Sequence, residues 1–235
     1  MWYNFVMTFS AAGLQRLDEK LFYFPNFLSD EEVFSINEKI KETESLKHPF
    51  EEMKFGTTPS IPELFSVWEK VSELIAPDYV IHPLLNLLHF KEGASMEPHC
   101  DSPGEGNHEE LTMPDMWSTC CLLTFGVCVY FGDYTGGEVY YPNQNITIPV
   151  KPGDLVIHGA LEDYSHGVKE VKSGSRYTYS NFALRADKNP GTFYNYGTEE
   201  YKEKTKNLDY LVSAWQTPLI DNPLRIVLSE DRQKY

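Results

Sequence analysis

Between Tyr79 and Leu184 the chain is built of short runs of β-branched and aromatic residues, each cut off by Gly, Pro, Asn or Asp. Runs of that length between turn formers are the pattern of many short strands. They predict strands near residues 80–90, 96–101, 119–131, 137–141, 146–150, 154–158, 165–169 and 176–184. About eight strands suggest a barrel or a pair of facing sheets, a jelly roll.

The first third of the chain reads differently. Ser29-Asp30-Glu31-Glu32 offers an N-cap followed by acidic residues, and Val33, Ile36 and Ile40 then recur at spacings of three and four, predicting a helix from about 30 to 45. A second helix is expected to start near Pro62, run through Leu64, Val67, Trp68, Val71 and Leu74, and stop at Pro77. Both are expected to cover a sheet. Beyond Arg185 comes a polar, tyrosine-rich extension with one apolar patch, Leu208 to Trp215, whose role the residues leave open.

With 235 residues the chain is long enough to bury a core, and one domain is expected. Twenty lysines and arginines against 35 acidic residues give a formal charge of −15, which repels a phosphate backbone and disfavours nucleic acid as a partner. Cys100, Cys120, Cys121 and Cys128 include no CxxC pair and read as buried thiols of a reducing compartment. Met1 to Gly13 lacks the positive start of a signal peptide, and no apolar run is long enough to span a membrane, so the expectation is a cytoplasmic protein.

His99 and Asp101 stand two apart, and in a strand such side chains leave on the same face. A third ligand must come from elsewhere, and His166 is the candidate, ahead of its competitor His158 because of its spacing to Arg176 in Gly174-Ser175-Arg176-Tyr177. Two histidines and one carboxylate leave coordination positions open, as oxygen-using iron(II) sites do, whereas structural zinc closes its tetrahedron. Taken alone, His-x-Asp is equally a surface turn. Arg176 reads either as a surface strand arginine or as a buried cation that needs an anion, and a dicarboxylate that chelates the metal would supply one. His48, His82, His89 and His108 read as surface or packing residues beside turns and links.

From Leu21 to Leu184 the chain resembles the prolyl 4-hydroxylase-like iron(II)/2-oxoglutarate dioxygenases. The carriers are Phe24-Pro25-Asn26-Phe27-Leu28-Ser29-Asp30-Glu31-Glu32, Phe90-Lys91-Glu92-Gly93 before His99-Cys100-Asp101, Tyr130-Phe131-Gly132, Gly136-Gly137-Glu138 and Tyr141-Pro142. Lys151-Pro152-Gly153-Asp154, His166-Gly167-Val168 and Gly174-Ser175-Arg176-Tyr177 then follow in the same order. The resemblance implies an α+β, mainly β fold: a double-stranded β-helix core over about 79–185, helical support over about 20–78 and an extension over 186–235, in one catalytic domain spanning 1–235.

The resemblance also implies chemistry. His99, Asp101 and His166 would hold Fe(II), with 2-oxoglutarate and O2 as co-substrates and ascorbate as a stimulant. Arg176 would bind the distal carboxylate of 2-oxoglutarate, helped by Tyr130 and Thr178, with Tyr130 equally readable as a core aromatic. The reaction would hydroxylate an unactivated C–H bond and release succinate and carbon dioxide. A prolyl residue in a peptide or protein is the expected substrate. A small molecule such as a free amino acid is the runner-up, and a jelly-roll metal-binding module without turnover is the rival from another class. The chain departs from the family at Phe90, where relatives carry a tyrosine that reaches the co-substrate, so His89 or another group must make that contact or it is lost. Gly132 replaces an asparagine, and the acidic stretch Ser102 to Trp117 is a natural substrate-selecting loop. Gly136-Gly137 is expected to serve the strand-to-strand turn rather than the chemistry.

Overall fold

The computed structural model describes residues 11–44, 55–58, 64–81, 86–102 and 123–188. All of them lie in one compact unit, Met1–Tyr196. In chain order the elements are β1 (Gln15–Asp18), β2 (Leu21–Phe24), α1 (Asp30–Glu44), β3 (Phe55–Thr58), α2 (Leu64–Ile75), β4 (Tyr79–Ile81) and β5 (Asn86–Lys91). Then follow β6 (Met96–His99), β7 (Phe125–Gly136), β8 (Val139–Tyr141), β9 (Ile146–Ile148), β10 (Leu155–Gly159), β11 (His166–Val168) and β12 (Val171–Arg185).

The strands form two antiparallel sheets. The larger runs β1-β2-β10-β7-β12-β5-β3, with β4 also paired to β12, and the smaller runs β6-β11-β8-β9. From β5 onward the chain alternates between them: β5, β7, β10 and β12 belong to the large sheet, and β6, β8, β9 and β11 to the small one. That winding is a double-stranded β-helix, the jelly roll expected from the strand pattern.

Helix α1 begins where local chemistry says it should. The Glu32 N–H donates to Ser29 Oγ at 3.3 Å and the Ser29 N–H donates to Glu32 Oε2 at 2.9 Å, a reciprocal capping box that satisfies two otherwise orphaned donors. Its apolar stripe buries Ile36 and Ile40, and Asn37 Oδ1 accepts the Gly132 N–H of β7 at 2.9 Å. Helix α2 buries Leu64, Val67, Trp68, Val71 and Ile75, the last in place of the expected Leu74, which is half-buried.

Trp68 packs on Tyr179 of β12 with ring centroids 4.7 Å apart. Side chains alternate along a strand, so Tyr177 and Tyr179 take the helix-covered face and Arg176 and Thr178 take the other, which looks between the sheets. Tyr130, Val139, Tyr141, Ile148, Val156 and Tyr164 cluster in that interior. Asp154, almost wholly buried, closes the turn before β10 by accepting from Tyr23 Oη (2.8 Å), the Asn26 N–H (2.9 Å) and the Lys151 N–H (2.8 Å). The Lys-Pro-Gly-Asp segment thus ties β10 to the chain leaving β2.

Several boundaries differ from the sequence expectation. The single strand at 80–90 is two, β4 and β5, which pair with different stretches of β12. β12 starts at Val171 rather than at 176, and β7 runs on to Gly136, because exposed residues Lys172, Ser173 and Gly174 extend the ladder by backbone pairing with 134–136. The β1–β2 hairpin and β3 were not expected at all. The 119–122 part of the expected third strand, most of the loop Ser102 to Trp117 and the extension beyond 188 fall outside the described residues. No described helix is long and apolar enough to cross a membrane.

Candidate active site

β6 and β11 lie side by side in the small sheet, and their register sets His99 directly opposite His166. The rings approach to 4.6 Å between centroids. Asp101 sits just past the end of β6, where its N–H donates to the Ala160 carbonyl at 3.0 Å, a tether to the chain leaving β10. Asp101 Oδ1 is 3.9 Å from His99 Nε2 and 4.0 Å from His166 Nε2. The ligand atoms of all three residues fall within 4.8 Å of one another, a donor set able to hold one metal ion. His99 is exposed and His166 buried, so the site opens to solvent on the His99 side.

The imidazoles are oriented for that task. His99 Nδ1 lies 3.2 Å from the Glu97 carbonyl and His166 Nδ1 lies 3.3 Å from the Tyr164 carbonyl. A proton on each Nδ1 leaves each Nε2 as a bare lone pair aimed at the carboxylate, the arrangement a cation requires. A third ring joins from the other sheet. His158 of β10, almost wholly buried, places Nε2 3.8 Å from Asp101 Oδ2, and its ring centroid is 4.0 Å from that of His166. The two candidates for the distal position thus converge on the same carboxylate, His166 on Oδ1 and His158 on Oδ2. Gly126 of β7 makes room for this: a Cβ there would lie 2.5 Å from His158 Nε2 and inside contact distance of Asp101 Oδ2.

Burial pushes the Asp101 carboxyl up to about 7, and holds His158 down to about 4 and His166 well below the usual imidazole range. The folded value for Asp101 exceeds the unfolded one, so on this group's account the metal-free fold loses stability as pH rises from about 4 through about 7. A metal needs the ionised carboxylate, and its binding must expel that proton. Affinity for iron(II), or for manganese(II) as a stand-in, is expected to fall about tenfold per pH unit below about 7 from this group alone, and to lose that dependence above it. Anaerobic titration calorimetry in buffers of different ionisation enthalpy checks this by counting released protons. An affinity flat from about pH 6 to about 8 contradicts it.

Arg176 lies across the interior from the triad, and its side chain is completely buried. Its guanidinium carbon is 4.9 Å from the Phe90 ring centroid and 5.0 Å from that of Tyr130, Nη1 donates to Thr178 Oγ1 at 2.5 Å, and the Tyr134 hydroxyl is within hydrogen-bonding reach. Among the described residues Nε has no partner and no carboxylate forms an ion pair with the group. Among the described residues this buried guanidinium has two rings and neutral hydroxyls beside it but not the counter-charge that burial of a cation calls for. The surface reading of Arg176 is thereby excluded. Through Tyr130, over whose ring the guanidinium lies, and Tyr141, which neighbours His166, Arg176 and the candidate metal donors border the same interior.

Other expectations meet mixed outcomes. Gly136 and Gly137 do turn the chain, with φ of +73° and +67°, but Gly137 also sits against the Arg176 stem, where a Cβ would come within 2.7 Å of Cδ. His89 lies within β5 rather than beside a turn and faces away from Arg176: it stacks on Tyr177 at 4.4 Å and contacts Ser175 Oγ at 3.1 Å. It therefore does not supply the contact that Phe90 lacks. Cys100 is exposed and Cys128 partly so, and neither forms a disulfide, so the expectation of buried thiols fails for Cys100. His82 and His108 fall outside the described residues, as do His48, Cys120 and Cys121.

No protein-family model matches the sequence, and no curated protein matches it. Solved structures do match in fold. The viral collagen prolyl hydroxylase vCPH of Paramecium Bursaria Chlorella virus-1, in its 2OG complex, superposes with a TM-score of 0.55 at 17% identity, over 71% of this chain and 96% of that one. NgTET1 in complex with 5mC DNA gives 0.51 at 16% identity, over 80% of each chain. A prolyl hydroxylase from Trichoplax adhaerens, in complex with a hypoxia inducible factor oxygen degradation domain peptide fragment, gives 0.50 at 14% identity, over 72% of this chain and 84% of that one. The fold is that of the 2OG-Fe(II) oxygenases, adopted here by a sequence far diverged from these structures.

Proposed function

We propose that this protein is an iron(II)- and 2-oxoglutarate-dependent oxygenase that hydroxylates an unactivated C–H bond, with a prolyl residue of a peptide or protein as substrate. One observation carries the enzyme class: the His99, Asp101 and His166 donors and the buried Arg176, which has no carboxylate partner among the described residues, line the same interior of a double-stranded β-helix. The fold is shared with oxygenases whose structures hold 2OG or a peptide, which supports the co-substrate and the substrate class in that order of strength. The strongly acidic composition speaks against a nucleic-acid substrate despite the DNA-bound neighbour.

Iron bound at the triad supplies oxygen activation, so that 2-oxoglutarate, O2 and substrate become succinate, carbon dioxide and hydroxylated product. The chain's own residues do the positioning. Asp101 and the Nε2 atoms of His99 and His166 would hold the iron and, being three donors, would leave coordination positions open to ligands. Arg176 and Thr178 would hold the distal carboxylate of 2-oxoglutarate, with the guanidinium packed over the Phe90 and Tyr130 rings. Exposed His99 marks the side from which substrate approaches. The free thiols at Cys100 and Cys128 favour a cytoplasmic setting.

The test needs no substrate. Iron(II) and 2-oxoglutarate added to metal-free protein without oxygen are expected to give the weak visible charge-transfer band of the chelated keto acid, and oxygen is then expected to bleach it with formation of succinate. Metal binding without a band would instead leave a jelly-roll metal-binding module. Proline-containing peptides that accelerate succinate formation, against free amino acids that do not, would support the substrate class.

A further inference from the structure

Tyr141 ends β8 with its side chain turned into the interior, where it is completely buried. Its ring centroid lies 5.8 Å from that of His166 and 5.7 Å from that of His158. The hydroxyl has no hydrogen-bond partner among the described residues. Leaving a buried hydroxyl unpaired costs about 1–3 kcal/mol, and phenylalanine would fill this place without that cost. The position therefore carries an oxygen that packing does not need.

The surroundings say what the oxygen faces. The ring neighbours that of His166 and belongs to the same interior cluster as Tyr130, over whose face the Arg176 guanidinium lies, so Tyr141 stands near both the metal donors and the guanidinium. Arg176 Nε is a second buried donor without a partner in the same interior. Of the other hydroxyls nearby, Tyr134 Oη donates to the Val150 carbonyl at 3.1 Å and Tyr130 is within hydrogen-bonding reach of the Cys128 thiol, while Thr178 Oγ1 accepts from Arg176 and keeps its own proton to donate. Phe90, opposite Arg176, has no hydroxyl to offer. Tyr141 Oη and Arg176 Nε are thus two buried donors with no partner among the described residues, carried by side chains of the same interior, and an acceptor-rich ligand would satisfy both.

We propose that the Tyr141 hydroxyl donates a hydrogen bond to the dicarboxylate co-substrate, which makes Tyr141 a co-substrate-binding residue reached from the small sheet while Arg176 acts from the large one. The inference rests on the 2-oxoglutarate reading of the site. In the absence of that ligand the hydroxyl pays its desolvation with nothing in return, and in its presence the bond is made to a charged acceptor.

Anaerobic titration of iron(II)-loaded protein with 2-oxoglutarate, read by the charge-transfer band, tests it. Tyr141→Phe is expected to raise the dissociation constant roughly tenfold to a hundredfold, as a lost bond to a charged group does. Iron(II) affinity should stay unchanged, and the metal-free variant should unfold at the same temperature as wild type or higher. A dissociation constant within about twofold of wild type overturns the role of Tyr141 while the band itself upholds the enzyme class. A lowered unfolding temperature in the metal-free variant also overturns it, because the hydroxyl would then serve the fold. A wild type that forms no band overturns the 2-oxoglutarate reading and this inference with it.

Discussion

Replacement of Arg176 by methionine is expected to abolish measurable 2-oxoglutarate binding without weakening the protein or its hold on iron(II). The side chain is fully buried, and its charge meets two aromatic faces and neutral hydroxyls but no carboxylate among the described residues. A buried charge in that state costs several kcal/mol that neutral partners only partly return. Methionine fills similar volume, so the metal-free variant is expected to unfold at or above the wild-type temperature. The ligand's distal carboxylate, by contrast, loses its counter-charge, at a cost of about 3–5 kcal/mol or roughly a hundredfold to several thousandfold in affinity. Thermal scans with and without 2-oxoglutarate, at constant iron(II), separate the two effects. The wild type should gain stability with ligand and Arg176→Met should gain none. A variant much less stable than wild type in the absence of ligand would mean that the guanidinium is a structural strut.

The parts of this arrangement that were legible in the sequence are those carried by local spacing. Ser29 and Glu32 announce the start of α1 because a capping box is complete within four residues, and the interval between Leu64 and Val71 announces α2 because its stripe repeats along one helix. His99 and Asp101 stood out by their two-residue step, and His166 and Arg176 by their order behind it. What stayed hidden depends on register between strands far apart in the chain. His158 reaches Asp101 only because β10 pairs with β7 so that His158 lies opposite Gly126, and no interval along the chain encodes that pairing. The continuation of β12 through Lys172 and Ser173 was hidden because those residues are exposed and polar and are held by backbone bonds alone. The β1 strand is likewise mostly exposed, so it shows no buried face to read. Tyr141 stood in the sequence only as one carrier of the family resemblance, and its hydroxyl, unpaired among the described residues, became visible only once the neighbours were in place.

Gly126→Ala is the change expected to damage the metal site most for its size. Gly126 does not adopt the left-handed backbone, so alanine brings no conformational strain, and the effect comes from one methyl group. That methyl would lie 2.5 Å from both Cε1 and Nε2 of His158 and closer still to Asp101 Oδ2. Neither neighbour yields easily. His158 is nearly fully buried on a strand paired on both sides, by β2 and β7, and the Asp101 backbone is fastened to Ala160. Relief is expected to come from rotation of the Asp101 carboxylate, which moves Oδ1 away from the two Nε2 atoms that share the metal with it. Iron(II) affinity should drop roughly tenfold to a hundredfold, the range typical of disturbed ligand support, with about 1–3 kcal/mol of stability lost to overpacking. Truncating the other neighbour supplies the control: in Gly126→Ala/His158→Ala the ring is gone, the methyl has space on that side, and affinity should recover in part. Metal affinity in Gly126→Ala equal to that of wild type would mean that Asp101 is not held where these contacts put it, and the division of its two oxygens between the triad and His158 would fall.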